Sequence, residues 1–279
     1  MSTMIRFGGI WMPTYNKGSK EHQDFLKKRR RKKGFILICQ FLIILFFLSI
    51  WEIASRTGMI NSFLSSSPSQ VLKTFVSLLE QNNLWNHVYI TVYETLISFV
   101  IASVLGFGIA TLLWWFPTLA KVIDPYLTIL NSLPKVALGP LIIIWIGANM
   151  NSIIFMALMI SLFITIINIY NGFQLVDYYY ITLLKTLNAS KRQIFQKLIV
   201  PSNKNTIINC LKVNISMSLI GVIMGELLVS KEGLGYLIMY GSQVFNINLV
   251  ITSVVILAVV AYLMYLVISF IEKKIVQSK

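Results

Sequence analysis

The chain has 279 residues, of which 56% are hydrophobic and 12% are charged, and its formal net charge is +14 at pH 7. In an average soluble domain about a quarter of the residues are charged, so this composition excludes an ordinary soluble protein and indicates an integral membrane protein. The two cysteines, Cys39 and Cys210, both lie in apolar stretches, so neither a disulfide framework nor a cysteine metal cluster is predicted.

The first 33 residues form a basic N-terminal extension that contains ten of the 24 Lys and Arg residues. Its run KKRRRKK, at residues 27–33, is also typical of nuclear localisation or nucleic-acid binding. Because the run directly precedes an apolar stretch, we interpret it as a membrane anchor that attracts anionic lipid head groups, and no nucleic-acid partner is expected. The same region imitates a secretory signal, but no convincing small-residue cleavage site follows, so the first span is expected to be retained.

Six apolar runs are long enough to cross a bilayer as helices, which takes about 20 residues each. They cover residues 35–54, 88–115, 120–146, 153–172, 206–229 and 249–271. Pro134, Gly139 and Pro140 interrupt the third run, and a broken helix at membrane depth needs neighbouring protein or a water-filled cavity to satisfy its backbone. The predicted fold is therefore an all-α integral membrane protein, a six-span helical bundle with its membrane domain at residues 34–274.

Positive charge predicts the orientation of the spans. With the N-terminus in the cytoplasm, the extension, the loop at about 177–201 and the tail at 275–279 all lie on the cytoplasmic side. The outer loops then hold three basic residues, Arg56, Lys73 and Lys231. Both termini are thus expected on the cytoplasmic side of a bacterial cell (plasma) membrane. A short amphipathic helix is expected on the outer surface after the turn signal SSSPS at 65–69.

Small residues recur every four positions in two spans, which lets helices approach closely. In the second span these are Ala102, Gly106 and Ala110, and in the fifth they are Gly221 and Gly225. The glycine pair is expected either at a subunit interface or at a contact within one subunit.

Ionisable residues inside spans are candidates for function. Glu52, Lys135 and Glu226 fall toward span ends, where a long side chain can snorkel to the interface, and Glu94 and Asp124 fall within a turn or two of an interface. His87 stands alone at the start of a span, so no metal site is predicted. The sequence contains no P-loop, no paired catalytic carboxylates and no nucleophile–base pair. An enzyme is therefore not predicted, and energy from ATP would have to come from another chain.

Between the fourth and fifth runs lies a basic, amphipathic segment, TLLKTLNASKRQIFQKLIVP. Asp177 is suited to cap a first helix, and Asn188 to take the left-handed conformation that ends it. Ser190 and Gln193 form a capping box for a second helix, which Pro201 is expected to stop. The prediction is a helix, a tight turn and a second helix, which we expect to bind a partner.

The side chains of this loop divide by chemistry. Its basic residues suit a solvated or anionic surface: Lys185, Lys191, Arg192 and Lys197. Its apolar residues are expected to form one face that enters a pocket of the partner: Leu183, Leu184, Leu187, Ile194 and Phe195.

The segment resembles the EAA loop of ABC importer permeases, whose pattern is Glu-Ala-Ala, three residues, Gly, nine residues, Ile, one residue and Leu-Pro. Counted back from Pro201, the Gly position falls on Asn188 and the Glu-Ala-Ala positions begin at Thr182. The proline alone is identical. The resemblance implies these coupling-loop residues: Thr182, Leu183, Leu184, Leu187, Asn188, Ala189, Ser190, Phe195 and Pro201.

A longer stretch, residues 127–173, resembles the permeases of the nitrate, sulfonate and taurine group of ABC importers. That group has a Pro-Lys-(Ile/Val)-Ala-x-x-Pro-Leu core and a following Trp-x-Gly turn, which match residues 134–141 and 145–147 here. SSSPSQV at 65–71 and GELLVSKEGLGYLI at 225–238 extend the likeness, whereas Thr165 stands where the group often has proline. The translocation path is accordingly expected near Pro134, Lys135, Gly139 and Pro140.

The resemblance implies a type I ABC importer with two permease subunits, two cytoplasmic ATPases and an extracellular substrate-binding protein. This chain would bind no cofactor, and ATP would be hydrolysed by the ATPase subunits. The solute is expected to be a small organic molecule such as a sulfonate, or nitrate. The positive charge of Lys135 slightly favours an anion. A vitamin or thiamine precursor is the alternative. An ion-coupled secondary transporter is the rival class, but it typically needs repeats or broken helices around a midplane site, and the sequence shows no convincing repeat.

Overall fold

The computed structural model describes residues 4–7, 10–13, 20–60, 66–81 and 83–276. These residues belong to two compact units, Met1–Ser69 and Gln70–Lys279. In the described ranges the regular structure is helical apart from one antiparallel hairpin, β1 (Met4–Phe7) and β2 (Ile10–Pro13). The predicted all-α class is confirmed for the spans, and the hairpin is an addition that the sequence did not predict.

The first helix, α1 (Lys20–Arg56), joins the basic extension to the first span without a break. Its 37 residues make it about 56 Å long, well beyond the roughly 30 Å of a bilayer's hydrocarbon core. Near its end, Glu52 pairs with Arg56 at 2.6 Å and accepts a hydrogen bond from the Ser69 hydroxyl at 2.9 Å. Glu52 therefore links the end of α1 to Ser69, whereas the sequence indicated a side chain that snorkels.

The remaining helices follow in chain order and carry the labels used below. They are α2 (Pro68–Glu80), α3 (Leu84–Trp115), α4 (Pro117–Ser132), α5 (Gly139–Ile146), α6 (Met150–Gln174), α7 (Tyr178–Thr186), α8 (the consecutive segments Lys191–Ile194, Phe195–Ile199 and Val200–Ser202), α9 (Lys204–Val229), α10 (Leu234–Gln243) and α11 (Ile247–Val276). Within the described residues, α1, α3, α6, α9 and α11 are long and apolar enough to cross a membrane. The bent pair of α4 and Lys135–Ile146 makes six if it is one span, and each predicted apolar run thus corresponds to a long helix or to this pair.

The third span is broken as predicted. Helix α4 meets the segment Lys135–Ile146 at an angle of 85°. Leu133 ends α4 in an extended conformation, with ψ at 139°, because the ring of the following Pro134 disfavours the helical conformation at that position. A 3₁₀ turn, Lys135–Leu138, then leads into α5.

The core of the second unit is built on α6, which packs between α3 and α9. A Cβ added at Gly225 would lie 2.8 Å from Ile153 Cγ2, and one added at Gly106 would lie 2.5 Å from Thr165 Cγ2. Gly221 approaches the backbone of Ala157 still more closely. The small-residue stripes therefore serve close contacts within this chain, which decides between the two alternatives for the glycine pair.

The loop between α6 and α9 has the predicted local structure. The Asp177 carboxylate caps α7 by accepting from the Tyr179 N–H at 2.9 Å. Asn188 has a φ of 59°, the left-handed conformation that allows a tight reversal. Ser190 and Gln193 form the capping box of α8, with distances of 2.7 and 3.3 Å between side chain and backbone.

Pro201 does not stop the second loop helix, so that prediction is wrong. Residues Phe195–Ile199 form a π-helical turn, in which the Val200 N–H bonds to the Phe195 carbonyl, and the helix continues to Ser202. A proline lacks the N–H and crowds the carbonyl four residues earlier, and a widened π turn relieves both problems. Since Asn203 alone separates the two helices, α8 leads almost directly into α9.

Candidate coupling loop and buried carboxyl cluster

One side of the loop is attached to the ends of the spans by apolar packing. Ile194 and Ile199 are buried, and Leu184 and Phe195 pack against the same cluster, which includes Phe173 of α6. The Phe195 ring lies 5.0 Å from the Trp114 ring and 5.6 Å from the Phe173 ring, centre to centre. Aromatic pairs at such distances add to the burial energy. The inner side of the loop is thus part of the permease core.

Lys191 fastens the start of α8 to the end of α3. Its ammonium donates a hydrogen bond to the Trp115 carbonyl at 2.5 Å. It also lies 5.6 and 5.5 Å from the ring centres of Trp114 and Trp115. A cation at the C-terminal end of a helix satisfies an unpaired carbonyl and favours the helix dipole. Lys191 is exposed, as expected of a residue on a solvated surface, and its ammonium also contacts the end of α3.

The other side of the loop exposes apolar and aromatic side chains. Leu183 is 45% exposed and Leu187, one turn further along α7, is 70% exposed. Three exposed tyrosines begin the same helix: Tyr178, Tyr179 and Tyr180. The prediction of one apolar face is wrong, because α7 directs Leu183 and Leu187 outward and Leu184 inward. Thr182, Asn188 and Ser190 are also exposed, and Ala189 is half-buried against the core cluster.

The four residues expected at the translocation path differ in their exposure on the bent span. Pro134 and Pro140 are exposed, and Lys135 is half-buried. The Lys135 ammonium donates to the carbonyl and the side-chain oxygen of Asn131, at 3.0 and 3.3 Å. Gly139 is buried, and a Cβ there would lie 2.7 Å from Leu228 and 2.9 Å from Met156. Gly139 thus provides a close helix contact, whereas the other three remain accessible for a path.

At the opposite ends of α3 and α9 the structure contains a buried polar group that the sequence did not predict. Glu226, 1% exposed, accepts hydrogen bonds from the Thr91 hydroxyl and the Gly235 N–H, both at 2.6 Å. Thr91 in turn accepts from the Leu234 N–H at 2.8 Å, and His87 Nδ1 accepts from the Gly233 N–H at 2.9 Å. Three backbone donors at the start of α10 are thereby satisfied.

A second carboxyl group completes this set. Glu94 is 2% exposed, and its carboxyl lies against that of Glu226. We call His87, Thr91, Glu94, Glu226 and the backbone of residues 233–235 the carboxyl cluster. Among the described residues, no three His, Cys, Asp or Glu side chains form a group that could hold a metal ion. The hydrogen bonds of the cluster tie α3, α9 and α10 together.

One sequence interpretation is corrected by this cluster. Glu226 does not snorkel from a span end, since its side chain is buried and accepts two hydrogen bonds. His87, which has no other metal-ligand type beside it in the sequence, accepts from the Gly233 N–H. Glu94 and Glu226 are 132 positions apart in sequence, so no motif spacing brings them together. The available signal was the GLG run at 233–235, because helix N-termini with free N–H groups attract a carboxylate.

Comparison with known proteins identifies the class to which this bundle of apolar spans belongs. The putative aliphatic sulfonates transport permease protein SsuC of Bacillus subtilis (strain 168) is 25% identical over 258 residues, 92% of this chain and 94% of the relative. The formylaminopyrimidine transport permease protein ThiX of Halalkalibacterium halodurans is 30% identical over 196 residues, 70% of this chain and 77% of the relative.

Solved structures show the same fold. A chain of the MetNI methionine ABC transporter, in inward-facing conformations, is 18% identical with a TM-score of 0.61, covering 71% of this chain and 97% of that one. A chain of a bacterial ABC transporter that imports the acidic polysaccharide alginate is 13% identical with a TM-score of 0.62, covering 90% and 99%.

Residues 102–278 match the family described as binding-protein-dependent transport system inner membrane component, and the chain belongs to that family. It is therefore a permease subunit of an ABC importer, a membrane component and not an enzyme. Permeases of this class work with an ATPase and a substrate-binding protein. Family membership favours the ATP-driven class over the ion-coupled transporter.

Proposed function

We propose that this chain forms the path for a small organic solute that an extracellular binding protein delivers, and that it works as a homodimer with two cytoplasmic ATPases. The loop at 177–201 and both termini face the cytoplasm in this proposal. The observation that carries it is the two-sided loop, which is attached to the core on one side and exposes Leu183 and Leu187 on the other. An exposed apolar face on a fixed helix suits a groove of the ATPase.

The connection between α8 and α9 gives the loop a way to transmit movement. Because Asn203 alone separates these helices, a displacement of the loop is passed to α9 as a unit. The other end of α9 carries Glu226, which holds α3 and the start of α10. When ATP closes the ATPase pair, the two loops of the dimer would move together and shift α9. This chain itself binds no cofactor in the proposal.

Two solute classes are supported by different observations. The sulfonate relative and the accessible Lys135 on the bent span support an anion such as a sulfonate, or nitrate. The formylaminopyrimidine relative supports a precursor of thiamine. The path is proposed to pass Pro134, Lys135 and Pro140 on the bent span, with Gly139 holding that span against its neighbours.

The exposed face of the loop is tested by Leu187→Asp in the complete transporter. A charged group at a docked apolar position removes a buried contact, and a central anchor of this kind contributes on the order of 2 kcal/mol to binding. The variant should insert into the membrane normally, lose most of the ATPase that co-purifies with the permease, and stop ATP-dependent uptake. Membrane fractionation and pull-down with a tagged permease measure these results.

The matched control is Phe245→Asp, which makes a similar change at a residue 71% exposed, outside the loop. Phe245 already has a φ of 53°, a conformation that Asp tolerates. This control should retain the ATPase. Normal ATPase capture by Leu187→Asp would contradict the proposed coupling surface.

A further inference from the structure

A polar cavity of about 580 Å³ opens beside the carboxyl cluster. It lies between α3, the first residues of α6 and the turn after α9. Its main lining residues are Ile90, Glu94, Asn149, Ile153, Lys231 and Glu232. Pockets that take small organic ligands range from about 300 to 1,000 Å³, so this cavity has room for one such molecule.

Several polar groups in and behind the wall are engaged by the protein itself. The Asn149 amide oxygen accepts from the N–H groups of residues 151 and 152, at 2.9 and 3.2 Å, and its nitrogen donates to the Ile146 carbonyl. Ser230 exchanges hydrogen bonds with the backbone of Glu232. Behind the wall, Glu226 is held by Thr91 and Gly235. These groups therefore have little capacity left for a ligand.

Glu94 differs from the rest of the wall. Its side chain is 98% buried, and its Oε2 atom has no hydrogen-bond partner in the part of the chain that the structure describes. A buried carboxylate oxygen without a partner is costly, and a donor supplied by a ligand removes that cost. Because the Glu94 carboxyl lies against that of Glu226, the two buried groups share a proton, and Glu94 Oε2 is left as an acceptor for an N–H or O–H donor of the ligand.

We propose that this cavity binds the transported solute through an amine or ammonium group that donates to Glu94 Oε2. The inference rests on the proposed function and selects between its two solute classes. Three carboxyl groups, those of Glu94, Glu226 and Glu232, lie at or behind the wall, against one ammonium, that of Lys231. An anionic sulfonate would be repelled there, whereas an amine-bearing ring gains a charge-assisted hydrogen bond.

The test uses the permease assembled with its ATPase in lipid nanodiscs, without the binding protein. Equilibrium dialysis measures binding of two probes, 4-amino-5-aminomethylpyrimidine and ethanesulfonate. The wild type should bind the pyrimidine and not the sulfonate. Glu94→Gln, which keeps the shape of the side chain, should weaken pyrimidine binding by roughly tenfold or more, the loss expected when a hydrogen bond is no longer charge-assisted. Glu80→Gln makes the same change at an exposed position outside the cavity and should bind as the wild type does.

Equal pyrimidine binding by Glu94→Gln and the wild type would overturn the site, and so would tighter binding of ethanesulfonate than of the pyrimidine by the wild type. If Glu94→Gln kept pyrimidine binding but weakened capture of the binding protein in a separate pull-down, the carboxylate would serve protein docking and the solute site would be overturned. ATP hydrolysis is measured in the same preparation. Hydrolysis without probe binding refutes the cavity site alone, whereas probe binding by a complex that hydrolyses no ATP supports the cavity site and contradicts the proposed function.

Discussion

The loop at 177–201 and the carboxyl cluster occupy opposite ends of α9, and they stabilise it by different chemistry. The loop is attached by apolar side chains, with Phe195 among Trp114 and Phe173, and by caps made by neighbouring residues. The cluster is held by buried hydrogen bonds between α3, α9 and the start of α10. Substitutions at the two ends of α9 are therefore expected to differ in how much they destabilise the protein.

The difference in stability follows from whether a substitution only removes contacts or leaves buried polar groups without a partner. Truncating an apolar side chain in the loop removes contacts, and neighbouring side chains can partly relax into the space. Removing one partner from the cluster leaves buried donors unsatisfied, which costs their full desolvation. We therefore expect graded effects in the loop and large effects in the cluster.

The largest effect is expected for Glu226→Ala. The change leaves the Thr91 hydroxyl and the Gly235 N–H, now bonded at 2.6 Å, without their acceptor. The expected destabilisation is about 3 kcal/mol or more. Thermal unfolding of the detergent-solubilised protein should show a markedly lower midpoint and poor recovery from the membrane.

Glu226→Gln is the matched variant, since it keeps the shape and one acceptor oxygen. It should lose less stability than Glu226→Ala. If both variants unfolded at the wild-type temperature, the cluster would not hold α9, and the contrast between its two ends would disappear.

An intermediate effect is expected at the turn of the loop. Asn188 has a φ of 59°, which glycine adopts freely and a β-branched residue adopts only with strain. Asn188→Gly should keep ATP-dependent uptake, whereas Asn188→Val should cost about 1–2 kcal/mol locally and reduce uptake. Limited proteolysis of the loop in membranes reports the local change. Full uptake and wild-type protection in the valine variant would refute the left-handed turn.

The smallest effect is expected for Lys191→Ala. The ammonium is exposed, and its contacts with the Trp115 carbonyl and two indole rings are expected to contribute about 0.5–1 kcal/mol. Protein stability should change little, while the ratio of solute imported to ATP hydrolysed should fall because α8 is held less firmly to α3. Lys191→Arg keeps the charge and should restore the ratio. An unchanged ratio in the alanine variant would show that apolar packing alone positions the loop.

Much of the fold could be predicted from the sequence, and the candidate site only in part. The six apolar runs, the break at Pro134 and the caps at Asp177 and Ser190 depend on residues close together in the chain. The side of α7 that faces the core could not be predicted, because leucines at 183, 184 and 187 surround much of the helix. Nor could the π turn before Pro201, which depends on how α8 joins α9.

By itself the sequence determined that this protein crosses a membrane, where its apolar spans lie, and that one basic loop stands apart from the spans. Hydropathy, proline and capping act within a few turns of chain, so their effects are already present in local sequence. Only the tertiary structure decided that Glu226 meets Thr91 and Glu94, that Lys191 reaches Trp115, and that Leu184 turns inward. Those contacts join residues that are distant in the chain, or select one face of a helix, and both depend on how α3, α6 and α9 pack.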